Sequence, residues 1–340
     1  MSVDKNPLPI MRTIHLPKYV TVRQLPAVME FIVSLHADSS SALDINCAQF
    51  EFVDPLGLCL LQYHLDTISR VSSQVNLKCL SGNLAAYLNR MDFFAGLDNV
   101  YCENAPQKSR WAEIDHGFVA LTKLVTNSNI DKIAGKLART MAGASSVSCE
   151  ADPDGMRASP ADRLHTALQY VLSELINNAA SHGKMRGYPY SEIWVAAQYY
   201  KGGNVRLAIV DNGCGFLESL RGHPGLHHET HRHAILTALQ PRISCNRDLT
   251  RGLDSGNQGI GLTASKTLTM AASGRIDIFS GNAWYRETLA GAHSEDLLFP
   301  WQGVGISLTM NRSLLQELEI ARIIQSIAPL RESRDFNFVE

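Results

Sequence analysis

No two of the seven cysteines (47, 59, 79, 102, 149, 214 and 245) stand in a C-x-x-C pair, and their number is odd. That removes the usual spacing of both a disulfide framework and a structural zinc site, so a reducing compartment is expected. No apolar run reaches the length that crosses a bilayer, and the opening MSVDKNPLPIMRTIHLPKYVTV lacks a basic stretch followed by an apolar one. The chain therefore reads as cytoplasmic and without membrane contact. An excess of one charge is also missing: 31 Lys and Arg stand against 33 Asp and Glu, a formal net charge of -2. Nucleic acid gains no electrostatic footing from that balance and is not expected as a partner. A G-x-x-x-x-G-K-[ST] phosphate loop is absent, as are internal repeats and, apart from a histidine-rich stretch, low-complexity segments.

What is present is enough apolar material, 45% of 340 residues, for two cores. Residues 12–22 and 42–53 are strand-like, and between them Leu25, Val28, Met29, Ile32 and Leu35 recur at helical spacing. After Asp54-Pro55-Leu56-Gly57, the residues Leu58, Leu61, Leu65, Ile68 and Val71 fall on one helical face. VNLKCL then predicts a third strand, and Asn83–Met91 a further helix. The pattern breaks in the polar stretch ENAPQKSRWAEIDHG, which places a boundary near residue 106. We divide the chain into 1–105, 106–312 and a helical tail, 313–340.

In the second unit, Phe118–Val125 is strand-like and Asp131–Met141 helical. A long helix begins near Asp162, where Leu164, Leu168, Val171, Leu172, Leu175, Ile176 and Ala179 keep one apolar face. Glu174, Asn178 and Ser181 or His182 then share an adjoining face at i, i+4 spacing. Strands are expected at Glu192–Tyr199, Val205–Val210, Arg275–Ser280 and Val304–Met310, with helices at Leu262–Ala271 and Arg312–Ile327.

Chemistry gathers in three stretches: Glu174-Leu-Ile-Asn-Asn178-Ala-Ala-Ser-His182-Gly183, Asp211-Asn-Gly213-Cys-Gly215-Phe, and Gly256-Asn257-Gln258-Gly259-Ile260-Gly261-Leu262. Together, in this order and spacing, they resemble the N, G1 and G2 boxes of the GHKL ATPases, among them gyrase, MutL, histidine kinases and anti-sigma-factor kinases. The resemblance covers roughly residues 110–312 and implies an α/β sandwich of the Bergerat type, with a mixed sheet and an ATP lid. It implies ATP and Mg²⁺ as cofactors, with nucleotide contacts from Asn178, His182, Asp211, Gly213, Gly215 and the run Gly256 to Leu262. It also implies Glu174 as the base that orients or deprotonates an attacking water or hydroxyl.

Physical chemistry supports each box separately. An Asn amide oxygen is a hard ligand suited to Mg²⁺, which keeps several waters and bridges to phosphates, so Asn178 is the candidate metal ligand. Asp211 ends the strand RLAIVD and enters Gly-x-Gly, which frees its carboxylate to accept from an adenine amino group. Gly256 to Leu262 offers backbone N–H groups ahead of a helix, a natural seat for phosphate oxygens. Gly259-Ile-Gly261-Leu-Thr-Ala264 also fits G-x-G-x-x-A, but the preceding RGLDSGNQ is polar where a dinucleotide site needs a strand.

Residues from Phe216 to Gln258 fall where the superfamily has its lid, and HAILTALQPR predicts a short helix there. His223, His227, His228, His231 and His233 lie in it, with no Cys or acidic partner arranged for zinc. One departure concerns Gly303-Val304-Gly305, where the superfamily commonly has Gly-Thr, so a hydroxyl near the nucleotide is missing.

In the N-terminal unit, the segment from Asp44 through Asp54-Pro55-Leu56-Gly57 resembles the strand-to-helix turn of STAS domains, and YLNRMDFF their closing helix. That family usually carries a phosphorylatable Ser or Thr where this chain has Leu56, so switching by phosphorylation there is not expected. Three uses of ATP fit these residues: hydrolysis in a regulatory switch acting on a protein partner, serine/threonine protein phosphorylation, or nucleotide sensing without turnover. Homodimerisation is common among GHKL proteins, although no sustained heptad supports it here.

Overall fold

The computed structural model describes residues 11–37, 42–72, 74–103, 117–124, 129–143, 160–184, 187–241, 243 and 260–327. The chain is mixed α/β, as the sequence predicts, with a four-stranded parallel sheet, a five-stranded antiparallel sheet and a small parallel pair in which Tyr19–Val20 runs beside Phe52–Val53. Strands β1 (Met11–His15), β3 (Ala42–Asn46), β5 (Val75–Lys78) and β6 (Val100–Cys102) form the parallel sheet in the order β1-β3-β5-β6. Pro17 supplies no N–H to a ladder, so the expected strand 12–22 breaks into β1 and β2 (Tyr19–Val20). Likewise 42–53 breaks into β3 and β4 (Phe52–Val53) at a turn closed by Phe50 N–H to the Cys47 carbonyl, 3.0 Å. The three-residue β6 was too short to read from sequence.

Helices α1 (Leu25–His36), α2 (Pro55–Ser69) and α3 (Gly82–Arg90) complete this unit. The Asp54 carboxylate starts α2 by accepting from Gly57 N–H at 2.9 Å and also holds Val22 N–H at 3.0 Å. Nearly every side chain of α2 is buried, which an amphipathic surface helix would not show. The reason is that it has a sheet on either side.

The second sheet is antiparallel, in the order β10 (Arg275–Thr288), β11 (Gly291–Asn311), β9 (Asn204–Asp211), β8 (Ile193–Tyr199), β7 (Phe118–Leu124). Alternate residues along β8 and β9 serve opposite faces. Val195, Ala197, Leu207 and Ile209 pack under α4 (Ile130–Ala142), α5 (Pro160–His182) and α8 (Gly261–Ala271). Trp194, Ala196, Ala208 and Val210 face the other way and share a core with α1 and α2. Four layers result: helices, antiparallel sheet, helices, parallel sheet.

Two elements differ from expectation. The hairpin β10–β11 continues well past Ser280 to a register of Thr288 opposite Gly291, through a stretch whose buried and exposed residues do not alternate. The tail is two helices, α9 (Arg312–Glu317) and α10 (Ile320–Ile327), broken where Leu318 turns extended at ψ 136°. The break lays α10 against α8 and α5.

Within the hairpin, Gly305 faces Phe279, and a Cβ there would come within 2.0 Å of the buried ring. Replacing Gly305 with Ala is expected to lower unfolding free energy by about 1–3 kcal/mol. The urea midpoint measures it, with the m-value unchanged.

Candidate functional site

Helix α5 carries the first box along the border of its apolar stripe. Asn178 reaches an open cleft, whereas Glu174, one turn earlier, is only 4% exposed. What covers Glu174 is the start of α8: a Cβ on Gly261 would sit 2.9 Å from the Glu174 Cβ and 3.2 Å from Leu175 N. Only glycine lets the α8 N-terminus touch α5 so closely, and the first turn of α8 lies against Glu174 and Leu175 as a result.

Asp211, at the end of β9, is 3% exposed. Its Oδ1 accepts from Gly213 N–H at 2.9 Å, and its carbonyl accepts from the Trp301 indole N–H at 3.0 Å. Burial pushes its carboxyl up to about 7, against the opposing pull of the Gly213 and Val304 amides. A Cβ on Gly213 would lie 2.3 Å from Gly183 Cα, so the turn after Asp211 packs directly on the end of α5. Cys214 N–H to the Gly183 carbonyl, 3.2 Å, completes that junction.

Gly215 takes φ +75°, a conformation that side chains resist, and opens the short helix α6 (Gly215–Leu220). Ser280 fixes this corner: its hydroxyl accepts from Phe216 N–H at 3.1 Å and donates to the Gly303 carbonyl at 2.8 Å. Nothing in the sequence marks Ser280, since both its partners are distant in the chain.

These pieces line one open cleft. Its walls are largely apolar, with Ile209, Phe216, Leu262, Val304 and Ile306, and its polar groups are few, chiefly Asp211 and Asn178. Such a slot suits a flat ring system with one polar edge. Val304 lines it without offering a polar group.

Of the residues singled out from sequence, Asn178, Asp211, Gly215 and Leu262 line one cleft, while Glu174, Gly213, Ile260 and Gly261 pack around it. Gly256, Asn257, Gln258 and Gly259 lie outside the described residues, as does the side chain of His182. Part of the expected lid is built into the body, since α6 packs on β10, β11 and α7 (His231–Ala238), the helix expected within the lid. His223 Nδ1 accepts from Gly225 N–H at 3.0 Å and His233 Nδ1 meets the Thr230 hydroxyl at 2.9 Å. Among the described residues no three His, Cys, Asp or Glu side chains are placed to hold a metal.

No curated protein matches the chain. Residues 164–297 match the family described as histidine kinase-, DNA gyrase B-, and HSP90-like ATPase, which reaches from the start of α5 into the β10–β11 hairpin and leaves the N-terminal unit outside. The chain thus carries, between residues 164 and 297, a domain of this ATP-binding family.

Proposed function

We propose that the cleft holds Mg·ATP with adenine against Asp211 and the phosphates toward Asn178 and the start of α8, and that Glu174 drives hydrolysis in a regulatory switch. The convergence of Asp211 and Asn178 on one apolar cleft carries this reading. The glycines at 183, 213 and 215 shape the cleft, since a Cβ at any of them would collide with neighbouring protein atoms and push apart the segments that frame it. The fit to Mg²⁺ rests on the amide oxygen of Asn178, a hard donor without charge on a half-buried side chain that lines the cleft. Bound there, the ion would neutralise phosphate charge. Glu174 would take the proton from the attacking water.

For the N-terminal unit we retain the STAS likeness, with the division from the ATPase unit near residue 106. Support comes from the turn Asp54-Pro55-Leu56-Gly57, which leads from β4 into α2. Leu56 is 1% exposed and has no hydroxyl, so this turn is not a phosphorylation site. A protein partner would read the nucleotide state through this unit's free surface.

Nucleotide binding by the purified chain, with and without Mg²⁺, followed by product analysis, tests the reading. The Asn178→Ala variant is expected to lose the Mg²⁺-dependent part of ATP affinity, about tenfold, and to keep the rest. Equal ATP affinity with and without Mg²⁺ in the wild-type chain would remove the metal assignment. Label from the γ-phosphate on a protein, instead of as free phosphate, would select the protein-kinase reading. Val304 favours a second reading, sensing without turnover, because an alkyl group stands where a hydroxyl could have helped to bind and orient the nucleotide. Product formation decides between them.

A further inference from the structure

The junction between α2 and the antiparallel sheet ends directly on the nucleotide cleft. The β9–β11 ladder closes at the pair Asp211–Val304, and the Asp211 carbonyl takes the Trp301 indole N–H at 3.0 Å. Trp301 is 4% exposed, and two neighbours in α2 hold its ring edge-on: Tyr63 at 5.4 Å and 76°, His64 at 5.5 Å and 78°. Tyr63 also packs edge-on against Trp194 at 4.9 Å, whose N–H donates to Gln62 at 2.7 Å. A polar path runs beside the aromatic one. Lys123 bridges Asp66 of α2 to Glu192, both at 2.9 Å, and the Glu192 N–H donates to Asn212 Oδ1 at 2.8 Å. Residues 211 and 212 are therefore gripped from two sides by groups that α2 orients.

We infer that Trp301 is a positioning residue through which the N-terminal unit sets Asp211, so that docking of α2 on the sheet and nucleotide affinity are linked. The aromatic cluster fixes the indole, the indole fixes the peptide after Asp211, and that peptide aims the carboxylate into the cleft. Linkage of this kind is reciprocal: whatever loosens α2 weakens the nucleotide, and bound nucleotide tightens α2. The effect on affinity rests on the ATP reading of the cleft; the effect on the 211–214 backbone does not.

Trp301→Phe keeps an aromatic ring against Tyr63 and His64 but has no N–H to give. It is expected to raise the ATP dissociation constant about 3- to 10-fold. Amide hydrogen exchange in residues 212–214 should quicken by a similar factor, and saturating ATP should slow exchange in α2 of the wild-type chain. Trp284→Phe is the control, since Trp284 donates to Asp277 in the same core and does not touch Asp211. It should leave ATP affinity unchanged. Tyr63→Leu tests the link into α2 and should weaken ATP in the same direction as Trp301→Phe.

The proposal is overturned if Trp301→Phe exchanges and binds as wild type. Equal weakening by Trp284→Phe, at a matched fall in melting temperature, overturns it as well, because Trp301 would then be ordinary core. An unchanged affinity in Tyr63→Leu removes the N-terminal link. A wild-type chain that binds no nucleotide defeats the ATP reading, and the exchange arm then decides the positioning claim alone. Should Trp301→Phe fail to fold, the same two readouts on Tyr63→Leu decide it.

Discussion

Exchange of Glu174 for Gln is expected to cut ATP turnover by about 10²- to 10⁴-fold while leaving ATP affinity within about threefold of wild type. Gln has the same length and preserves the contact that Glu174 makes with Gly261 at the start of α8. It cannot take a proton at neutral pH, so only the chemical step loses its base. Burial sharpens the comparison: at 4% exposure the Glu174 side chain has few alternative positions, and a substitution of equal volume leaves the packing as it was. Steady-state phosphate release and equilibrium nucleotide binding, measured on the same preparation, separate the two effects. A variant that turns over at the wild-type rate would remove Glu174 from the chemistry and favour sensing without hydrolysis.

Replacing Asp211 with Asn should weaken ATP about 10- to 100-fold, because the adenine amino group loses a charged acceptor in a desolvated site. The pH dependence gives a second measurement. Burial pushes this carboxyl up to about 7, and its protonated form offers adenine only an uncharged acceptor. Wild-type ATP affinity is therefore expected to fall about tenfold per pH unit below that value, and the Asn variant should lose this acid limb. Stability moves in the opposite sense. A carboxyl that is harder to ionise folded than unfolded contributes most to stability below its ordinary value of 3.8, and that contribution is lost as pH rises to about 7. Affinity titrations between pH 5.5 and 8, paired with urea melts of the free protein, read both signs. An affinity flat across that range would show that Asp211 does not face the base.

The boxes were legible because their chemistry is local. Glu174 and Asn178 sit one turn apart on a helix whose stripe is continuous, and Asp211 stands between a strand and two glycines, so the resemblance picked out the residues and periodicity put them on the elements that carry them. The contact of Gly213 with Gly183 was not legible, because it joins two turns that nothing but the fold places together. Ser280 and Trp301 escaped for the same reason: a serine inside a strand and a tryptophan near Pro300 carry no local mark of what they bond. The docking of α2 left a faint trace. LGLCLLQYHL is apolar nearly all round, and IWVAAQY has no polar face, which together describe a helix and a sheet each covered on two sides. The outer half of the β10–β11 hairpin was hidden for a similar reason, since Ala283, Trp284 and Tyr285 are buried in succession and show no alternation.

Helix α2 lies between two sheets, and that arrangement also fixes the order of events during synthesis. The side chain of Gln62 meets Trp194, 132 residues later in the chain, and the ring of Tyr63 meets Trp301 later still. While the chain is growing, α2 and the parallel sheet form first, with one flank of the helix bare and apolar until the last strand has been made. The N-terminal unit is thus an unfinished surface for most of translation, and for that interval it is open to chaperones or to the wrong neighbour.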